Sequence, residues 1–250
     1  MKQNQHKLPN EFVKKVKDAL INKESLEGEL QERTVDGKER WYQNSVMPIL
    51  DDNGKEIGEV IVRYDITQKK VFEKLAVTDP LTLLYNRRHF NEILTREINR
   101  AKRENSTLSF IILDIDYFKK YNDSNGHKAG DIALINVANA LKSALQRGGD
   151  FAFRLGGEEF GIIFSREGRE KSLEFAESIR KKIEDLKIPH SASEVSKYIT
   201  ISLGLLHVDF SGVNVNEDGF YSMADDALYI AKKEGRNKVV IHENDDLELF

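Results

Sequence analysis

The chain has 250 residues, with 42 acidic side chains against 38 basic ones and a formal net charge of −4. That length suits one or two domains with a real core, and the mildly acidic balance argues against nonspecific nucleic-acid binding. Cysteine is absent, which excludes disulfides and thiolate zinc sites, and the histidines at positions 6, 89, 127, 190, 207 and 242 form no i, i+4 metal pair. No apolar run approaches membrane-spanning length and no signal-peptide pattern opens the chain, so neither a membrane nor a nucleic acid is an expected partner. The expected location is cytoplasmic, for this chain alone or as the soluble part of a longer sensor.

Asn10 is placed to cap a first helix that carries Phe12, Val16, Ala19 and Leu20 on one face. Strands follow at 26–35, 39–50 and 57–66, separated by turn signals at Asp36-Gly37 and Asp52-Asn53-Gly54, which predict an antiparallel sheet. Residues 68–77 read as a linker helix with Val71, Phe72 and Leu75 as its apolar positions. Beyond Asp79 helices and strands alternate. Helical periodicity covers 87–104 through Phe90, Ile93, Leu94, Ile98 and Ala101, and recurs at 131–145 through Ile132, Ile135, Ala138 and Leu141. A third helix carries Leu173, Ala176, Ile179, Ile183 and Leu186; a fourth carries Ala224, Ala227, Leu228 and Ala231 and stops at Gly235. Strands are expected at 108–113, 151–155, 160–164, 198–206 and 238–241. Helices on a mostly antiparallel central sheet make an α+β layer domain, preceded here by a smaller α+β segment.

Chemistry concentrates at two strand ends. The apolar strand at 108–113 runs into Asp114-Ile115-Asp116, which delivers carboxylates to one edge of the sheet. The strands at 151–155 and 160–164 flank Gly156-Gly157-Glu158-Glu159. Glycine reaches positive φ without a Cβ clash, so Gly-Gly predicts a hairpin with two adjacent acids at or just past its tip. Adjacent carboxylates repel, and a fold that brings them together offsets them with a cation or a metal.

Together with Tyr117-Phe118-Lys119-Lys120-Tyr121-Asn122-Asp123 and Gly126-His127-Lys128-Ala129-Gly130-Asp131, this pattern resembles the GGDEF family of diguanylate cyclases. Asp79-Pro80-Leu81-Thr82 with Asn86-Arg87-Arg88 resembles the family's opening motif. Ala224-Asp225-Asp226-Ala227-Leu228-Tyr229 with Ala231-Lys232 and Gly235-Arg236-Asn237 resembles its closing one. The resemblance runs over about 77–242 and implies the palm-like nucleotidyl cyclase fold. It also implies condensation of two GTP molecules into cyclic di-GMP with release of two pyrophosphates, by a homodimer using magnesium or, in its place, manganese. By resemblance Asp114, Glu158, Glu159 and the Ile115 carbonyl hold the metal, and Glu158 also helps to deprotonate the attacking hydroxyl. Asn122 and Asp131 read guanine, and a helix N-cap is a second role open to Asp131. Phe118, Lys119, Lys232 and Arg236 contact the substrate, the three cations at its phosphates. Asp79 and Arg154 are given structural roles.

The resemblance also places an inhibitory site for the product at Arg147-Gly148-Gly149-Asp150, where Arg147 and Asp150 bind cyclic di-GMP. Leu83 departs from the family by standing where glycine is usual, which is expected to alter the turn, and Glu158 replaces the aspartate of the family's name. The front of the chain resembles the C-terminal part of a PAS sensor in Asp36-Gly37, Trp41, Met47-Pro48-Ile49, Asp52, Gly54, Gly58 and Asp65-Ile66-Thr67. The expected organisation is a partial PAS-like segment at 1–66, a linker helix at 67–77, a GGDEF domain at 78–244 and a tail at 245–250. Three other readings compete: a silent receptor for cyclic di-GMP, a cyclase fragment that cannot pair, and a palm-like domain acting on another nucleotide.

Overall fold

Two short Gly-containing turns shape the front of the chain. Gly37 and Gly54 sit at φ 81° and 73° and return their N–H groups to the carbonyls of Thr34 and Asp51, each at 2.8 Å. They join β1 (Leu26–Arg33), β2 (Glu39–Leu50) and β3 (Glu56–Asp65) into an antiparallel sheet in that order, after α1 (Asn10–Ile21). The Thr67 hydroxyl accepts from the Trp41 amide at 2.9 Å and ties the start of α2 (Thr67–Val77) to β2. The computed structural model describes residues 10–22, 24–34, 37–145, 147–213 and 215–243. Val35, Asp36, the tail at 245–250 and the side chains of Asn10, Phe12, Leu20 and Leu75 lie outside the described residues. The chain divides into two units between Ala76 and Val77.

The second unit is built on β4 (Thr107–Ile115), which reads as continuously apolar because both of its faces are buried. Its elements in chain order are α3 (Arg87–Glu104), β4, α4 (Phe118–Asn125), α5 (His127–Ala144), β5 (Phe151–Gly156), β6 (Glu159–Phe164), α6 (Arg169–Glu184), β7 (Ile201–Asp209), α7 (Glu217–Lys233) and β8 (Val239–Ile241). The strand order is β5-β6-β4-β7-β8, antiparallel except for the β7–β8 pair. Ile111, Leu113 and Ile115 of β4 face one apolar layer with Val137 and Leu141 of α5 and Ile179 and Ile183 of α6. Phe110 and Ile112 face the other, with Phe90 and Ile98 of α3 and Phe220 and Leu228 of α7. This period-two alternation between two helical layers is the α+β architecture expected from the sequence.

Several boundaries move, each for a local reason. Gly126 at φ 83° turns the chain straight from α4 into α5, so α5 starts at His127 rather than at 131. Asp131 therefore lies in the second turn of α5, and the N-cap reading is corrected: the cap position is Gly126. The fourth predicted helix starts at Glu217, because the Asn216 side chain caps it by accepting from the Gly219 amide at 2.8 Å. It ends at a Glu234 cap, with Gly235 left-handed just beyond. β7 begins at Ile201, since Tyr198 instead forms an isolated bridge with Pro189.

Candidate active site

β4 and the β5–β6 hairpin bring the acids together. Gly157 takes φ 50° at the tip, Glu158 follows it in the turn, and Glu159 opens β6 directly across from Asp114. The tip is braced from behind. Arg154 donates from Nε and Nη2 to the Gly157 carbonyl at 3.0 and 2.8 Å, and from Nη1 to both Asp79 oxygens at 3.1 and 3.2 Å. Burial pushes the Asp79 carboxyl up, but hydrogen bonds from the Thr82 hydroxyl and amide and the Arg154 guanidinium outweigh it and hold that carboxyl below its usual range. Asp79 and Arg154 thus have the structural role their motif positions suggested. At Leu83 the loop keeps a left-handed backbone, φ 56°, which glycine would take without strain.

Asp114 is the electrostatic centre. Burial pushes its carboxyl up to about 6, against the pull of the Lys232 ammonium 3.0 Å away, and the negative charges of Glu158 and Glu159 add to the rise. Lys232, expected at a phosphate, is held by this carboxylate. Its ammonium stands where a buried acid wants positive charge. Among the described residues no three acidic or imidazole side chains converge closely enough to form a metal site by themselves. Magnesium does not need one, because it binds through one or two carboxylates with substrate phosphates and water. The hard oxygen donors and the cation already drawn to Asp114 fit that ion.

The nucleoside-binding candidates lie on α4 and α5. Asn122 Oδ1 is buried without a hydrogen-bond partner. A Cβ on Gly130 would stand 1.9 Å from that oxygen, so glycine is what lets α5 accept the amide. The orphaned acceptor suits a ligand N–H. Asp131 is exposed on the next residue of α5. Lys119 is exposed in the first turn of α4, whereas Phe118 is 5% exposed and belongs to the core. Arg236 is in contact with Tyr117.

Sequence reasoning missed three residues here. Asp116 is buried and accepts from Thr200 Oγ1 at 2.7 Å, Ser202 Oγ at 2.6 Å and the Asn237 amide at 3.1 Å, tying the end of β4 to β7 and to the turn after α7. Its only sequence signal was the alternation Asp114-Ile115-Asp116. Tyr117 contacts Arg236 and Glu194, neither near it in sequence. Arg166 donates from Nη1 and Nη2 to the two Asp150 oxygens, each at 2.9 Å, in a pair whose Asp150 side chain is 2% exposed. The Asp150 carboxylate is therefore already engaged by Arg166. Arg147 is exposed beside a cleft of about 680 Å³ that Arg166, Phe175, Lys181 and Lys182 also line.

A strand-end aspartate opposite a diacidic hairpin, a lysine held on that aspartate and an orphaned amide oxygen packed against a glycine make up the candidate site. The chain belongs to the GGDEF family: the family model described as diguanylate cyclase, GGDEF domain, matches residues 76–238, and a PAS-fold model matches residues 7–71. It is 37% identical over 203 residues to the probable diguanylate cyclase DgcT of Escherichia coli, covering 81% of this chain and 43% of that one. It is 35% identical over 174 residues to diguanylate cyclase A of Treponema denticola, covering 68% and 46%. The chain thus spans less than half the length of these curated relatives. Among solved structures, the coiled coil and GGDEF domain of DgcB from Caulobacter crescentus in complex with c-di-GMP matches with a TM-score of 0.62 and 32% identity, over 70% of this chain and 90% of that one. The active GGEEF domain of a diguanylate cyclase from Vibrio cholerae matches with a TM-score of 0.54 and 34% identity, over 63% and 97%. Among the described residues no helix is long and apolar enough to cross a membrane.

Proposed function

We propose that this chain is a diguanylate cyclase that joins two GTP molecules into cyclic di-GMP and releases two pyrophosphates, working as a two-fold dimer with magnesium. The observation that carries this reading is the register of the hairpin, which sets Glu159 opposite Asp114 with Glu158 at the adjoining tip. In each half-reaction a 3′ hydroxyl of one GTP attacks the α-phosphate of the other, forming a phosphodiester bond as the bond to pyrophosphate breaks. Glu158 takes up the hydroxyl proton. Asp114, Glu158, Glu159 and the Ile115 carbonyl would hold the magnesium, or manganese in its place, which when bound supplies positive charge to the phosphoryl oxygens. With magnesium held at Asp114, Lys232 would be released from that carboxylate to serve the phosphates. Lys119 and Arg236 add positive charge at the phosphates, and the Phe118 backbone adds a polar contact. Asn122 and Asp131 read the guanine edge; adenine lacks the paired N–H donors that the carboxylate accepts, so ATP leaves that acceptor unpaired.

Pairing follows from the chemistry, because each domain positions one GTP and the two reacting centres must face each other. Cyclic di-GMP is placed at Arg147 as an inhibitor, with Asp150 joining only when its bond to Arg166 opens. The test is incubation of the purified chain with GTP and magnesium, with products separated by chromatography. Wild type is expected to form cyclic di-GMP, and Glu158→Gln to slow it by about 10²- to 10⁴-fold, the range for loss of a general base. A wild type that forms no cyclic di-GMP at any protein concentration rejects the assignment.

A further inference from the structure

Half of the six left-handed non-glycine residues among the described residues stand at one place: Tyr117 at φ 55°, Arg236 at 65° and Asn237 at 46°. A bulky residue keeps such a backbone only where its surroundings impose it, and such positions concentrate at functional sites. Tyr117 follows the end of β4, and Arg236 lies in the turn after α7. Asp116 locks the two connections together by accepting the Asn237 amide. The Arg236 guanidinium lies 4.4 Å from the centre of the Tyr117 ring and donates to its hydroxyl at 3.2 Å. That hydroxyl donates in turn to Glu194 Oε2 at 3.1 Å, and Lys120 binds the other oxygen of Glu194.

We propose that Tyr117, backed by Glu194, is a positioning residue that holds Arg236 ready for the substrate phosphates. The inference rests on the diguanylate cyclase reading above and assigns two residues outside its catalytic set. Because the phenol O–H donates a hydrogen bond to the carboxylate, the oxygen's lone pairs are left to receive Arg236, and a chain of charge-assisted bonds orients all three groups. A guanidinium has five N–H donors, and this arrangement occupies one through the hydroxyl while the ring covers one face. The remaining donors serve an anion's oxygens without a search among rotamers. A free arginine side chain would have to give up that freedom on binding.

The test is a double-mutant cycle of Tyr117→Phe and Arg236→Ala in the whole chain. Its readouts are KM and kcat for GTP with magnesium, binding of a non-hydrolysable GTP analogue by calorimetry, and the thermal unfolding midpoint. Tyr117→Phe keeps the ring and loses only the bridge. It is expected to raise KM by about three- to tenfold with kcat within about twofold, the pattern of lost ground-state binding. With Arg236 already replaced, Tyr117→Phe is expected to add nothing, because both act through one guanidinium. Glu194→Gln, on an exposed loop, is expected to reproduce part of the KM rise, and it supplies the same measurement if Tyr117→Phe fails to fold. An unchanged KM in a folded Tyr117→Phe, or effects that multiply across the cycle, overturns the positioning role alone. A wild type that neither binds the analogue nor turns over GTP overturns the functional reading, and this inference with it.

Discussion

At Leu83 a branched side chain occupies backbone space that suits glycine. The leucine is 53% exposed, so little packing offsets the strain of its left-handed φ. A left-handed residue other than glycine costs roughly 1–2 kcal/mol, and glycine gives back about 0.5–1 kcal/mol through the freedom it adds to the unfolded chain. Leu83→Gly is therefore expected to stabilise the second unit by about 0.5–1 kcal/mol, read from the midpoint of urea unfolding at constant m. The opposite balance holds at Arg166. Its guanidinium lies 4.4 Å from the centre of the Phe175 ring and closes on the buried Asp150 carboxylate. Arg166→Ala leaves that carboxylate without its partner and is expected to cost about 3–5 kcal/mol. Asp150→Ala in the same chain should recover much of the loss, because the cost comes from an uncompensated charge; an equally unstable double variant would place the cost in lost packing over Phe175 instead.

At the scale of elements, β4 joins the two ends of the molecule's polar chemistry. One end carries Asp114 and Asp116. At the other, Ser109 of β4, Ser172 of α6 and His207 of β7 make a buried node: the hydroxyls lie 2.8 and 3.1 Å from His207 Nδ1 and 3.0 Å from each other. Burial holds the His207 imidazole below its ordinary pKa, opposed by Asp209 and assisted by Arg169. The unfolded chain then binds the proton more readily than the folded one, so stability is complete above the unfolded value of about 6.5 and falls as pH drops from there towards the folded value. His190, held low by burial and opposed by its hydrogen bond to the Tyr117 carbonyl, contributes with the same sign. Asp114 contributes with the opposite sign, since its folded pKa of about 6 is raised, and protonation below that value relieves a buried charge. Urea unfolding from pH 7.5 to 5, run in parallel on His207→Gln, is expected to show a shallower decline in the variant. Parallel profiles would remove His207 as a source.

For the whole molecule, the proposed chemistry is intermolecular, and activity should depend on how often two copies meet. The initial rate of cyclic di-GMP formation is expected to rise faster than linearly with protein concentration until pairing saturates, then in proportion. A strictly proportional rate from the lowest concentration upward would place pairing outside that range or reject it. In the first unit, α2 follows the three-stranded sheet in the chain. Met47 and Ile49 of β2 and Val60 and Tyr64 of β3 are exposed on that sheet, and exposed apolar surface of this kind promotes association in its own right. The concentration series should therefore be accompanied by a direct measurement of oligomeric state.

Sequence by itself determined the α+β class, the family and the order of the elements other than α4, which no predicted helix covered, because these rest on local signals: apolar periods of two and 3.6, turn glycines and motif spacing. The bounds of the helix Arg87–Glu104 and the hairpin tip at Gly157 were legible in this way. Asp114, Glu158 and Glu159 stand at strand ends and took their metal role from the family resemblance, and strand register converts such positions into proximity. Only the tertiary structure decided what those side chains touch. Lys232 rests on Asp114, Arg166 holds Asp150, and Tyr117 joins Arg236 to Glu194. The members of each pair lie from 16 to 119 residues apart along the chain. Their meeting depends on how helices and loops pack around the sheet, a global property that no local pattern of residue types carries.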